Sequence, residues 1–182
     1  MNEIEIMLNQ NPLRIISVTG PDINNGTGMR ITIWVAGCNH HCPGCQNEHT
    51  WAWKQGHWIG DVREKIFKFC EDPNIDGITI SGGDPLAQDE RALRELIGFL
   101  EDFNRKFPDK NVWLYTGYEY EQLDKTQLDV LRYCDVLVDG PYVCKKRDIT
   151  LPFRGSSNQR IIDLHSSTQN HIVIINDEEF KK

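Results

Sequence analysis

A chain of 182 residues, 39% hydrophobic and 26% charged, is long enough for one packed domain and too apolar to be disordered. Its net charge of −7, with no basic run longer than Lys145–Lys146–Arg147, argues against a nucleic-acid partner. No stretch of about 18 apolar residues is present to span a membrane, and the acidic Met1–Glu5 lacks the apolar core of a secretory signal, so a cytoplasmic location is expected.

The Gly/Asn-rich stretch Gly20–Gly28 leads into Arg30–Ala36, whose β-branched alternation predicts a strand. From Gly37 to about Gly60 the sequence is irregular and holds cysteines, histidines and tryptophans; long loops of this kind are usually functional. Asp61 with Glu64 reads as a capping box, opening a helix with Val62, Ile66, Phe69 and Cys70 on its buried face. Gly77–Ser81 is a strand, followed by the turn Gly82–Pro85. A helix over Asp89–Lys106 sets Leu93, Leu96, Ile97, Leu100 and Phe103 at core spacing. Val112–Tyr115, a helix over Asp124–Arg132, Val136–Val138 and a last strand, Ile172–Ile175, complete the set. Neither repeat nor linker divides the chain, so residues 1–182 read as one domain.

Strands alternating with helices imply an α/β fold with mostly parallel strands. Four such units fall short of the eight that close a full barrel, so an open partial (β/α) barrel is expected. Chemistry then belongs at the C-terminal ends of the strands. Cys38–Asn47, Gly82–Pro85 and Tyr115–Tyr118 all follow strands and should meet there.

In a reducing compartment six cysteines are more often metal ligands, catalytic groups or buried hydrophobes than disulfides. Cys38, Cys42 and Cys45 offer three thiolates within eight residues, and soft thiolates select zinc, copper(I) or iron–sulfur clusters. Structural zinc normally takes four protein ligands; His40, His41 or His49 could be the fourth, which keeps that alternative open. A [4Fe-4S] cubane held by three thiolates instead leaves one iron open for a ligand. Cys70 and Cys134 read as small hydrophobes, and Cys144 is unassigned.

The cysteine spacing followed by Gly82-Gly83-Asp84-Pro85 resembles the radical S-adenosylmethionine superfamily. Within it, Asn25–Arg30, Gly37–Asn47, Ser81–Leu86, Trp113–Tyr118, Val136–Gly140 and Arg154–Arg160 are similar to the activators of anaerobic ribonucleoside-triphosphate reductases. Many superfamily members carry an aromatic residue before the third cysteine; here Gly44 stands there, as in those activators. The tail beyond about Asp163 matches no motif.

The resemblance implies a [4Fe-4S] cluster on Cys38, Cys42 and Cys45, with S-adenosyl-L-methionine chelating the open iron. Reductive cleavage, with electrons from flavodoxin or a similar low-potential donor, yields a deoxyadenosyl radical that takes hydrogen from a glycine of the reductase. By the same resemblance Gly44, Cys45 and Gln46 flank the cofactor, while Gly82, Gly83 and Asp84 meet its methionine end. Asp84 could face the ammonium group there, or simply cap a helix entry. Tyr115–Tyr118 could line the adenosine or pack a strand end, and Asp139 could bond a ribose hydroxyl or cap a loop. Trp51, Trp53 and Trp58 could be a partner surface or ordinary cover for the cluster, and Arg154–Arg160 is a candidate partner contact. A pyruvate formate-lyase-type activator, a small-molecule radical enzyme such as a deazapurine synthase, and a zinc interaction module are the alternatives.

Overall fold

The computed structural model describes residues 11–168 and 170–180. Met1–Glu5 and the two ends of the 1–182 domain assignment lie outside that range. In chain order the strands are β1 (Arg14–Asp22), β2 (Arg30–Val35), β3 (His57–Trp58), β4 (Gly77–Gly82), β5 (Asn111–Tyr115), β6 (Val136–Asp139), β7 (Arg160–Thr168) and β8 (His171–Ile174). The helices are α1 (Ile59–Cys70), α2 (Glu90–Lys106) and α3 (Lys125–Leu131).

All eight strands form one open sheet in the order β3-β1-β2-β4-β5-β6-β7-β8. The four central strands β2, β4, β5 and β6 run parallel, with β2 and β4 paired from Arg30↔Gly77 to Val35↔Gly82. Each parallel step needs a crossover, and α1, α2 and α3 supply them. The expectation of mostly parallel strands holds only for this centre. β1 and β3 on one flank, β7 and β8 on the other, are antiparallel additions.

Side-chain alternation sorts the two faces of the sheet. Ile31, Ile33, Val35, Ile78, Ile80, Val112, Leu114 and Leu137 join one core cluster with Ile66, Phe67 and Cys70 of α1, with Leu93, Leu96, Leu100 and Phe103 of α2, and with Val130 and Leu131 of α3. Arg30, Thr32 and Trp34 alternate with β2's core residues, so they project from the opposite face. There Trp113, Val138 and Ile161 form a second, smaller cluster with Phe153, Ile175 and Phe180. The helices therefore cover one face and leave the other to loops and the C-terminal segment.

Local boundaries differ in two places. α1 begins at Ile59 with Trp58 as N-cap, so Asp61 is a first-turn acid and caps nothing. Phe69 is 57% exposed, and Phe67 takes the core position, packing on Phe99, Phe103 and Phe107. Ile59, Ile66, Phe67 and Cys70 share the buried face, and Phe69 falls at its edge. No helix among the described residues is long and apolar enough to cross a membrane.

Candidate active site

Loops following all four parallel strands converge on one cavity of about 130 Å³. Cys38, His40, Cys42 and Cys45 come from the loop after β2, and Gly82, Gly83 and Asp84 from the end of β4. Thr116 and Gly117 follow β5, while Gly140 and Tyr142 follow β6. The meeting of the three irregular segments is thus as the sequence implied, with a fourth added. A larger cleft of about 320 Å³ shares Cys45, Asn47, Ser81, Tyr115, Tyr142 and Gln159 with this cavity, and continues it towards Gln46, Trp34 and Phe153. A Cβ on Gly44 would stand 3.4 Å from the Cys144 sulfur and 4.0 Å from the ring of Tyr142, which lines both spaces.

The cysteine loop is shaped by backbone bonds. Gly37 donates to Thr50 O at 2.8 Å and Cys38 to Trp51 O at 3.3 Å; Cys45 donates to Cys42 O at 3.1 Å. Gly37 holds φ at +94°, with the Trp53 ring where a Cβ would stand. Trp51 lines the cavity and stacks on His41 at 4.8 Å. Trp53 and Trp51 are therefore cover for the loop, while Trp58 lies over Gly60 and donates to Glu95.

All three thiols are free, and backbone N–H groups face each sulfur: those of His40 and His41 at Cys38, of Tyr142 at Cys42, and of Asn47 at Cys45, the last at 3.4 Å. Such donors stabilise a thiolate. Burial works against it, pushing the Cys38 thiol up to about 11, with the Asp84 charge adding to the effect, and raising Cys42 as well. Cys38 and Cys42 are thus held as neutral thiols, whose protons a bound metal must replace. No three His, Cys, Asp or Glu side chains among the described residues converge on one ion position. A cubane gives each thiolate its own iron and requires no such convergence, so the donor set suits a cluster.

Asp84 is 1% exposed and its carboxylate is fully engaged within the chain. Leu86 N–H donates to Oδ1 and Gly117 N–H to Oδ2, both at 2.8 Å; the Thr116 hydroxyl lies 3.0 Å from each oxygen. His40 Nε2 contacts Oδ2 at 2.7 Å, with the Tyr118 ring edge-on to the imidazole at 4.5 Å. The N-cap reading of Asp84 is corrected, since Asp89 precedes α2. His40, read as a candidate metal ligand, is turned to Asp84 instead. The two side chains tie the loops after β2, β4 and β5 into one knot.

Gly82 and Gly83 are demanded by backbone approach. A Cβ on Gly83 would stand 2.2 Å from the Gly37 carbonyl oxygen, and one on Gly82 2.6 Å from Val35 N. Gly83 N–H donates to Val35 O and Asp84 N–H to Gly37 O, both at 2.8 Å.

Residues 24–162 match the 4Fe-4S single cluster domain family. The chain is 41% identical over 143 residues to the anaerobic ribonucleoside-triphosphate reductase-activating protein of Haemophilus influenzae, covering 77% of this chain and 91% of that one. The Escherichia coli K12 protein of the same name is 38% identical over 141 residues, 76% and 90% covered, and that of Enterobacteria phage T4 37% over 142 residues, 77% and 87% covered. The chain belongs to this family of reductase activators.

In this activator-family chain further side chains brace the loops around the site. Arg30 is fully buried and donates to Thr27 O, Thr79 Oγ1 and Asn111 Oδ1, with Trp113 at 5.5 Å. Burial lowers its guanidinium to about 10, a cost that these bonds offset. It fixes the loop whose Asn24 and Asn25 line the larger cleft. Asp139 is spent inside the chain, accepting from Tyr120 N at 2.8 Å and Arg160 Nε at 2.9 Å. Arg160 also reaches the exposed Glu121, and Arg154, which lines the larger cleft, pairs with Asp177, so both arginines of the Arg154–Arg160 segment are engaged within the chain.

Proposed function

We propose that this chain is a radical S-adenosylmethionine activase that generates a glycyl radical on an anaerobic ribonucleoside-triphosphate reductase. Cys38, Cys42 and Cys45 would hold a [4Fe-4S] cluster, and the sheet would be the open partial barrel of that superfamily. The observation that carries the reading is the set of three thiols on one loop, each faced by backbone N–H groups, opening beside the Gly82–Asp84 turn at the C-terminal edge of the parallel strands. When bound, the cluster and S-adenosylmethionine supply a deoxyadenosyl radical able to take hydrogen from a glycine.

The protein's own part is placement and exclusion of water. Hydrogen bonds to sulfur tune a cluster's potential, and four backbone N–H groups stand ready for that task. The Asp84 knot fixes the backbone of Gly82 and Gly83, whose polar groups a cofactor's methionine end could meet. Because the Asp84 carboxylate is already satisfied, its role in this reading is to position that turn, and the ammonium group would meet backbone. Gln46, Trp34 and Tyr115 then line the way to the larger cleft, where a nucleoside and the substrate loop would lie. Aromatic walls keep water from a reactive intermediate. A cytoplasmic setting with flavodoxin or a similar donor completes the proposal.

The test is anaerobic reconstitution to about four irons per chain, then reduction with S-adenosylmethionine in the presence of either the reductase or pyruvate formate-lyase. Electron paramagnetic resonance should show a glycyl radical on the reductase. Radical on the lyase alone would refute the substrate. One zinc in a colourless preparation would refute the enzyme.

A further inference from the structure

The family match ends at residue 162, yet the chain runs on through β8 into a 3-10 turn, Asp177–Phe180, that folds back behind the larger cleft. The cleft wall there includes Phe153 and Arg154. Phe153 adopts φ 53°, a left-handed conformation disfavoured for a non-glycine residue and kept only where surroundings enforce it. Its carbonyl accepts the Tyr115 hydroxyl at 2.9 Å. Its ring meets Trp113 at 5.3 Å and Phe180 at 5.2 Å, both edge-on. Arg154 donates from Nη1 to Gln159 O at 3.2 Å and from Nη2 to the Asp177 carboxylate. Ile175 N–H, bonded to Ile161 O at 2.8 Å, anchors the turn to β7.

Two neighbouring wall residues are thus held from behind by two residues of one terminal turn, and neither Asp177 nor Phe180 lines the cleft itself. We infer that Ile175–Phe180 is a positioning element of the site: it holds Phe153 and Arg154 in place, completing the wall before a cofactor binds. The inference rests on reading the cleft as part of the S-adenosylmethionine site. Affinity falls with the fraction of molecules that hold the competent arrangement, so a wall in place about a tenth of the time binds about tenfold more weakly.

The experiment compares the full chain with Asp177→Ala, Phe180→Ala and the conservative Phe180→Tyr. Amide hydrogen exchange is followed on the metal-free proteins, and S-adenosylmethionine affinity and iron content after anaerobic reconstitution. Both alanine variants should exchange faster within residues 147–159, keep their iron, and bind S-adenosylmethionine about tenfold more weakly; Phe180→Tyr should behave as the parent. Unchanged exchange in 147–159, or acceleration spread evenly over the whole chain, overturns the inference. A parent protein that binds no S-adenosylmethionine would refute the proposed function, and the exchange result would still judge the turn's role.

Discussion

Replacing Asp84 with Asn separates a structural knot from a ligand contact. The carboxylate takes Leu86 N–H on one oxygen and Gly117 N–H on the other. An amide has a single carbonyl oxygen, so either orientation turns an NH2 group towards one of these donors. One buried N–H is left unsatisfied, worth about 1–3 kcal/mol, and the remaining bonds lose their charge-assisted part, about 1–2 kcal/mol more. A total of about 2–5 kcal/mol lowers the melting temperature of a chain this size by about 4–20 °C, at 2–4 °C per kcal/mol. Thermal unfolding of the metal-free Asp84→Asn chain, followed by circular dichroism under anaerobic conditions, reads this directly. A shift below about 2 °C would refute the knot. An aspartate serving only as a ligand's counter-charge would leave metal-free stability untouched and weaken binding alone.

Gly83→Val should destabilise the chain and disorder the cysteine loop, since its Cβ meets the Gly37 carbonyl at 2.2 Å, whereas Gly98→Ala, with open space around it in α2, should stabilise by about 0.5–1 kcal/mol. Urea unfolding measures both, and a normally stable Gly83→Val chain would contradict the packing described. Alanine at Cys38, Cys42 or Cys45 should abolish iron retention after reconstitution while Cys70→Ala and Cys134→Ala spare it; loss of iron in a folded Cys70→Ala chain would overturn the ligand assignment. Burial pushes the Cys70 thiol from 9.0 up to about 11, against the opposing pull of Lys110 and Lys106. The unfolded thiol ionises first, so this stabilisation is complete below about pH 9 and is lost as pH rises towards 11. Cys70→Ala should flatten the alkaline decline in stability across that window, and an unaltered slope would remove Cys70 from the explanation.

The parallel centre was legible because Ile31, Ile33, Val35, Ile78 and Ile80 are β-branched and sit between turn signals. β1 was hidden by Gly20-Pro21 within it, and β7 by its polar second half, His165–Thr168, so the sheet read as five strands instead of eight. The last strand was found one residue out of place, at His171–Ile174. The cysteine loop stood out in the sequence because its three thiols lie within eight residues of one another. The engagement of Asp84 did not, since its partners His40 and Thr116 lie 44 residues before it and 32 after it. Such a network exists only once the strands are laid side by side. Phe69 misled because it lies at the edge of the face that Ile66 and Cys70 share, where spacing alone does not tell it from Phe67 on the other side.

The cysteine loop owes its shape to bonds that involve no metal: Gly37 to Thr50, Cys38 to Trp51, His40 to Asp84. Those bonds take up much of the loop's conformational freedom within the fold itself. A zinc finger, by contrast, folds only around its ion. Under the proposed function, oxidation that strips the iron would leave a mould with its form intact. Restoring activity is then a matter of refilling, at a rate set by the supply of iron and sulfide.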